Sequence, residues 1–588
     1  MRRGFTPAAS GGSKPEIKLQ RNIKVSKTVR LLGVTVKTSA ILLLVGVFLL
    51  PSRVLATDVS GEQWGTWTKQ NSPYNVIGEV RIPPESTLVI EPGVIINFQG
   101  YYRFIVDTSA TILAMGTETD SIYFTAEDTV TGWHGIRFVF SSSNSQLSYC
   151  QIEYGNATGP GHEYQGGGMF IDRCSPTIMN STIWKNWADG AGGGIYSYES
   201  NPTIIGNFIN SNACIRSGAG IYICRGDSST VIGNIVTENS CPWGGGVFCR
   251  GSRSLISDNI ITNNYAVNGG GVLFVSPGRP ILQNNIIAEN SVVQRGGGIK
   301  CGDQSRPIIR ANLIINNSTD LGEEGRGGAI FCEITRPFII NNTITGNSAK
   351  YGGGIYAREY AHLILVNNIL WGDTSEVGSE INLRNINSDP CTVTVAYCDV
   401  QGGESGVYVE PGCVLNWGEG NLDSDPIFRD PPADDFHLMA DYCGDPLNSP
   451  CIDAGHPDSL DILLDCFHGL GSDRADMGAY GGRNSGWPTG IEEDENGLLI
   501  PKQFLLRQNY PNPFNANTTI SYLLPNRCEV KLEIHNILGE KVATLLEARQ
   551  QPGLHAVVWE ASELSSGLYL YKLTVGDLVA TRRMVLIK

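Results

Sequence analysis

The chain has 588 residues, enough for several domains or one long repeat body. Its glycine comes without the strict triplet period of collagen, and its charged fraction is modest, which excludes collagen, disordered and membrane-bundle classes. Residues 57–588 carry 33 Lys and Arg against 57 Asp and Glu, a net charge of −24, which repels phosphate backbones and argues against nucleic-acid binding.

The first 56 residues are basic instead, with ten Lys or Arg and one Glu. Residues Arg2 to Lys37 precede an apolar run, Ala40–Leu50, that stops at Pro51. That run is shorter than the roughly 20 residues needed to span a bilayer. Val54-Leu55-Ala56 places small or aliphatic residues where a signal peptidase reads, so residues 1–56 are expected to be a secretory signal cleaved after Ala56. The alternative is an uncleaved single-span anchor.

Residues 57–160 read as short strands. VIGEVRIPPESTLVIEPGVIINFQG (76–100) alternates aliphatics at period two around Pro83-Pro84 and Pro92-Gly93 turns. Then a motif repeats: GGGMF (166–170), GGGIY (192–196), GAGIY (218–222), GGGVF (244–248), GGGVL (269–273), GGGIK (296–300), GGAIF (327–331) and GGGIY (352–356). The aliphatic after the glycines falls at Met169, Ile195, Ile221, Val247, Val272, Ile299, Ile330 and Ile355, in steps of 26, 26, 26, 25, 27, 31 and 25 residues. A period near 26 over eight copies means stacked units sharing one core.

Each period holds three short strand signals. One is glycine-led, one follows a proline (NPTIIGN, 201–207; RPILQN, 279–284; RPIIRAN, 306–312), and one lies inside a pair of asparagines (Asn207–Asn212, Asn259–Asn264, Asn312–Asn317). Strands of three to five residues with corners between them pair with the same strand one period later, in parallel, and such connections are right-handed. The expected fold is all-β: a right-handed parallel β-helix over 57–483, with glycine-triplet repeats at 166–358 and an end region at 396–483. Its glycines shape corners, its aliphatics fill the bore, and its corner asparagines form amide ladders.

Fifteen cysteines in an exported chain raise the question of disulfides. Cys249, Cys301 and Cys332 share one repeat position and are expected to point inward as small apolar groups, while Cys443 and Cys451 are candidates for a local bridge.

Residues 76–483 resemble the right-handed parallel β-helix proteins of the pectin-lyase-like class. The resemblance rests on the opening SPYNVIGEVRIPPESTLVIEPGVIINF, the repeats, and the closing SDPIFRDPPADDFHL, SPCIDAG and RADMGAYGG. It implies the fold; the class spans lyases, hydrolases, epimerases and non-catalytic adhesins, so it implies no single activity.

Residues 484–503 are polar and acidic, without period, and read as a linker. Residues 504–588 show alternating strands at hairpin spacing, expected to form a small Ig-like β-sandwich. This segment resembles the C-terminal sorting domain of type IX secretion cargo through Asn509-Tyr510-Pro511-Asn512-Pro513-Phe514-Asn515, Asn536-Ile537-Leu538-Gly539, Ser566-Gly567-Leu568-Tyr569 and the terminal Arg582–Lys588. That resemblance implies an outer-membrane translocon as partner, then display on, or release from, the surface of a Gram-negative-type bacterium. The protein is expected to be a monomer.

If the marker aliphatic points inward, the next residue points outward. That column reads Phe170, Tyr196, Tyr222, Phe248, Leu273, Lys300, Phe331 and Tyr356, flanked two residues on by Asp172, Tyr198, Cys224, Arg250, Val275, Gly302, Glu333 and Arg358. Aromatic faces stack on sugar rings and Arg or Lys hold a uronate carboxylate, so Phe170, Tyr196, Tyr198, Tyr222, Phe248, Arg250, Lys300, Phe331, Tyr356 and Arg358 are the candidate ligand contacts, for a polysaccharide or cell-surface glycan. The competing reading is a purely structural stack of identical neighbours.

No catalytic residue is assigned. A lyase needs a basic residue beside clustered carboxylates, and a hydrolase needs paired carboxylates within a rung or two. The outward columns supply only Asp172 and Glu333, far apart along the rod, and Asp227, Asp303, Glu323 and Glu324 lie in loops. A non-catalytic glycan-binding protein is the first reading; a polysaccharide lyase or glycoside hydrolase acting on an acidic polysaccharide is the second. Acids from Asp423 to Asp476 crowd the end region, where Ca²⁺ is a candidate ion but capping of the solenoid is the expected role.

Overall fold

A computed structural model of the chain describes residues 56–481 apart from 227, 321, 323, 387–388, 458, 460, 462–463, 465, 467–468 and 473. Between 491 and 587 it describes all but 494–498, 502–504, 507–508, 510–513, 525–527, 537–539, 551–552, 563 and 577. The expected signal peptide, Asp227, Glu323, Asp458, Asp465, Asp473 and most of the 484–503 linker lie outside the described residues.

Parallel ladders build the solenoid, each strand pairing with its counterpart one coil later. In the glycine ladder, Ile195 opposes Ile221, Tyr196 opposes Tyr222 and Tyr198 opposes Cys224. The marker aliphatics Met169, Ile195, Ile221, Val247, Val272, Ile299, Ile330 and Ile355 are all fully buried. The inward register is therefore as expected, and Cys249, Cys301 and Cys332 lie in the same core. The proline ladder is a 14-stranded sheet running from Gly65–Trp67 to Val414–Trp417. The asparagine ladder buries Ile183, Ile209, Val236, Ile261, Ile287, Ile314 and Ile344 completely.

A fourth, seven-stranded ladder runs between the asparagine corner and the glycines, from Asn156–Ala157 to Ser318–Thr319. Its strands hold only two to five residues. They are too short to show a period, and the small side chains of Ala157, Ala188, Cys214 and Cys241 let the corner close tightly.

Two columns of buried asparagine run along the rod. Asn212 Nδ2 donates to Asn239 Oδ1 at 3.0 Å, and its backbone N–H donates to the same oxygen at 3.0 Å. Asn234 treats Asn259 alike, at 2.9 and 2.9 Å. Each amide also donates to a carbonyl of an earlier strand, as Asn212 Nδ2 does to Ile183 O at 2.9 Å. Each amide of these columns thus gains a partner from the neighbouring coil, which is what a buried amide requires.

The end region folds back along the flank of the solenoid as well as closing its end. Asn341 Nδ2 donates to Asp476 O at 2.9 Å, His456 N donates to Asn367 Oδ1 at 2.7 Å, and Ala479 N donates to Thr343 Oγ1 at 3.0 Å. The reason is apolar: Ala288, Leu313 and Ile315 point outward from the asparagine ladder and are buried under Phe436, Ala479 and Tyr480. The end-region acids tie turns together, with Asp476 accepting Asp453 N–H and Leu470 N–H at 2.7 Å each. The disulfide also differs from expectation. Cys443 pairs with Cys466, while Cys451 stays a buried thiol donating to Asp399 Oδ2 at 3.2 Å.

Within the expected linker, Ile491–Glu493 pairs antiparallel with Leu499–Pro501. The C-terminal segment forms a three-stranded and a four-stranded antiparallel sheet around one core that includes Phe514, Ile534, Trp559 and Tyr571. Asn509, first residue of the expected sorting motif, is buried, its N–H donating to Tyr571 Oη at 2.8 Å. Tyr510–Pro513 and Ile537–Gly539 of the expected motifs lie outside the described residues.

Candidate groove on the glycine face

The glycines set how this face is made. Gly218 has φ +66°, and a Cβ there would lie 2.7 Å from the Cβ of Tyr222; at Gly220 it would lie 2.6 Å from Gly246 O. The first glycine turns the chain into the strand and the third lets adjacent coils touch backbone to backbone. The following residue is thereby held outward, directly above its counterpart in the next coil.

The outward column is a stack of rings. Phe170 and Tyr196 lie 5.5 Å apart at 4°, Tyr196 and Tyr222 5.0 Å apart at 6°, and Tyr222 and Phe248 4.7 Å apart at 8°. Phe331 and Tyr356 repeat this at 5.4 Å and 7°. Arg137 closes the near end, its guanidinium 4.3 Å from the Phe170 ring centre. Each ring covers its neighbours, so Tyr196, Tyr222 and Phe248 are each only 6 % exposed, and together with Leu273 they form a core separate from the bore. Burial pushes the Tyr222 hydroxyl up to about 12.

Over this stack lies a groove of about 570 Å³, lined by Gln165, Tyr196, Tyr198, Arg216, Ser217, Tyr222, Cys224, Arg225, Arg250 and Ser276 among others. Tyr196, Tyr198, Tyr222 and Arg250 of the sequence candidates meet there; Phe170, Phe248, Lys300, Phe331, Tyr356 and Arg358 do not line it. Among the described residues, no carboxylate lines it. Arg225 donates to Tyr198 Oη at 3.0 Å and pairs with Glu199 at 3.3 Å. Glu199 also holds Arg173 at 2.8 Å, and hydrogen bonds from Tyr198 and Arg173 keep its carboxyl below its usual range. Arg216 lies 5.3 Å from the Tyr164 ring centre. Among the described residues, neither Arg216 nor Arg250 has a carboxylate partner.

Further along the same face the charges are arranged differently. Glu333 holds Lys300 Nζ at 2.8 Å and Arg358 Nη2 at 2.7 Å, with Arg295 at 3.9 Å. Burial opposes ionisation of Glu333, but the Lys300 and Arg358 charges outweigh it and hold its carboxyl below the usual range. Lys300 and Arg358 therefore serve an internal triad, one carboxylate between two cations on adjacent coils.

Sequence reasoning did not single out Arg216 and Arg225. Arg225 follows the flanking column at a corner with φ +57°, beyond the reach of a period-two argument. Trp187, Trp243 and Tyr265 were also missed. They are about 40 % exposed on the fourth ladder, and Trp243 pairs through its backbone with the groove-lining Ser217.

Comparison with known families agrees with this architecture. Residues 117–256 and 243–370 match the family model described as right handed beta helix region. Residues 508–588 match the one described as secretion system C-terminal sorting domain. The chain is a right-handed parallel β-helix repeat protein carrying a type IX sorting domain. That domain implies interaction with the secretion machinery and export to the cell surface or beyond. Neither the curated proteins nor the solved structures searched contain a match.

Proposed function

We propose that the exported solenoid binds an anionic polysaccharide along the glycine face, with acidic groups of the glycan held in the groove by Arg216, Arg225 and Arg250. The observation that carries this reading is a cluster of guanidinium groups, two of them without a carboxylate partner among the described residues, on a body whose residues 57–588 bear a charge of −24. Arginine presents paired donors that match a carboxylate or sulfate, and its charge is not lost at any physiological pH. Tyr198 offers a hydroxyl and Trp243 an exposed ring at the rim, so sugar stacking falls to the rim rather than to the buried column.

The test is affinity electrophoresis of the full chain through polygalacturonate, alginate and neutral dextran. Retardation by an acidic polymer and not by dextran is expected, weakened at least tenfold in R216A/R250A. Equal retardation by dextran, or an unaffected double variant, removes the proposal. A catalytic reading has one observation in its favour: Asp172, opposite Tyr198 in the ladder, has an oxygen without a hydrogen-bond partner and a carboxyl raised by burial. Release of unsaturated uronate or new reducing ends from the same polymers, abolished in D172N, would establish it.

A further inference from the structure

We propose that Cys391 and Cys413 form a second disulfide in the exported protein, one that locks the last rung of the proline ladder. The two Sγ atoms are thiols 3.2 Å apart, and their residues immediately precede the paired Thr392 and Val414. Val414 N donates to Cys391 O at 2.9 Å, so the two cysteines stand on adjacent rungs. Rung spacing of about 4.8 Å falls within the range of Cα separations that a disulfide bridges. The chain already closes Cys443–Cys466, and its sorting domain sends it out of the reducing cytoplasm.

Access selects this pair from the other stacked thiols. Cys301 and Cys332 oppose each other in the glycine ladder, but both are completely enclosed in the bore. Cys214 and Cys241, each one residue after the paired Ala213 and Ser240, are 4 % and 6 % exposed. Cys391 is also buried, but Cys413 is only half-buried, so one sulfur of this pair can meet an oxidant while the other waits beneath it. The oxidant is an oxidised thiol–disulfide oxidoreductase of the export compartment. The Cys413 thiolate attacks its disulfide, breaking that bond and forming a mixed disulfide. The Cys391 thiolate then attacks Cys413 Sγ and expels the oxidoreductase. Two electrons and two protons pass from the cysteine pair to the enzyme, which leaves as a dithiol.

The position gives the bond a purpose. Val414–Trp417 is the terminal strand of the 14-stranded ladder, with no strand on its outer edge among the described residues, and repeat bodies open from their ends. A bond between rungs 22 residues apart ties that edge to the coil before it.

The test is peptide mapping of full-length protein recovered from an oxidising compartment, alkylated under denaturing conditions without reductant. The expected map links Cys391 to Cys413 and Cys443 to Cys466, and leaves Cys214, Cys241, Cys301 and Cys332 alkylated. Alkylated Cys391 and Cys413 in protein whose Cys443–Cys466 link is complete overturns the proposal, as does a Cys301–Cys332 link formed in preference. A second measurement follows hydrogen exchange at 414–417 in a C443S/C466S background. Mild reductant should speed exchange there by about tenfold or more, and C413S should already exchange at the faster rate. No change on reduction also overturns it.

Discussion

The coils from Gly166 to Arg250 and those from Gly296 to Arg384 share one register and one glycine corner, yet handle charge in opposite ways. In the first set the interior is neutral, the corner amides Asn186, Asn212 and Asn239 are uncharged, and guanidinium groups stand outside, Arg173 and Arg225 sharing Glu199 while Arg216 and Arg250 have no carboxylate partner among the described residues. In the second set charge is taken inside. Glu333 sits between Lys300 and Arg358, and the inner amide ladder ends on Asp373, whose Oδ1 accepts both Asn347 N–H and Asn347 Nδ2. Asp373 lies against Glu380, and each has one buried oxygen without a hydrogen-bond partner. A uniform backbone therefore leaves side chains free to make one stretch an open groove edged by guanidinium groups and another a self-contained electrostatic knot.

Breaking the knot has the largest expected effect. Glu333→Ala leaves Lys300, with its side chain 5 % exposed, without its carboxylate beside Arg358, 11 % exposed, which among the described residues keeps only Glu359 at 3.3 Å. Removing one partner from a buried ion pair costs about 3–5 kcal/mol. The denaturant midpoint of the solenoid reads this loss; a shift equivalent to less than 1 kcal/mol would show the triad to be solvent-screened.

The carboxyl pair gives the next effect, and it depends on pH. Burial raises both groups, and repulsion from Asp373 adds to the rise of Glu380. The folded pair thus keeps a proton that the unfolded chain releases above about pH 4. Stability from this site is full below that pH and falls as pH rises. Glu380→Gln should flatten that fall and make the protein more stable than wild type at pH 8 by roughly 2 kcal/mol, checked by thermal melts across pH. Parallel pH profiles for the two proteins would mean that the pair holds no shared proton.

Much of this was legible in the residues. The period from Met169 to Ile355 places one aliphatic per coil in the bore, and the paired asparagines declare their ladders because identical amides at identical spacing have one common use. What the residues did not show depends on neighbours across coils. The ring column at Tyr196 and Tyr222 was placed outward correctly. Whether its faces are free, however, is decided by a 5.0 Å ring separation that no single repeat encodes. Arg216 and Arg225 come from corners, where side-chain direction follows local backbone twist rather than strand alternation. The partner of Cys443 turned on how the end region folds back. A signal for that fold-back was present in the outward Ala288, Leu313 and Ile315, which need cover.

The last two changes act on the open half of the comparison. Glu199 restrains Arg173 and Arg225, and all three are on the surface. Glu199→Gln should release both guanidinium groups and raise affinity for an acidic polysaccharide about threefold, with stability changed by less than about 0.5 kcal/mol because exposed pairs contribute little. Weaker binding would mean that Glu199 orients Arg225 rather than competing for it. Tyr222→Phe is the smallest step. The ring stays in its stack with Tyr196 and Phe248, so the fold should hold, and only the hydroxyl beside Arg250 is lost. If that hydroxyl orients Arg250 toward the groove, affinity falls two- to threefold at low salt, and the loss disappears in R250A. An equal loss in the presence and absence of Arg250 would place the Tyr222 hydroxyl directly on the glycan, and the groove floor would then count as part of the binding surface.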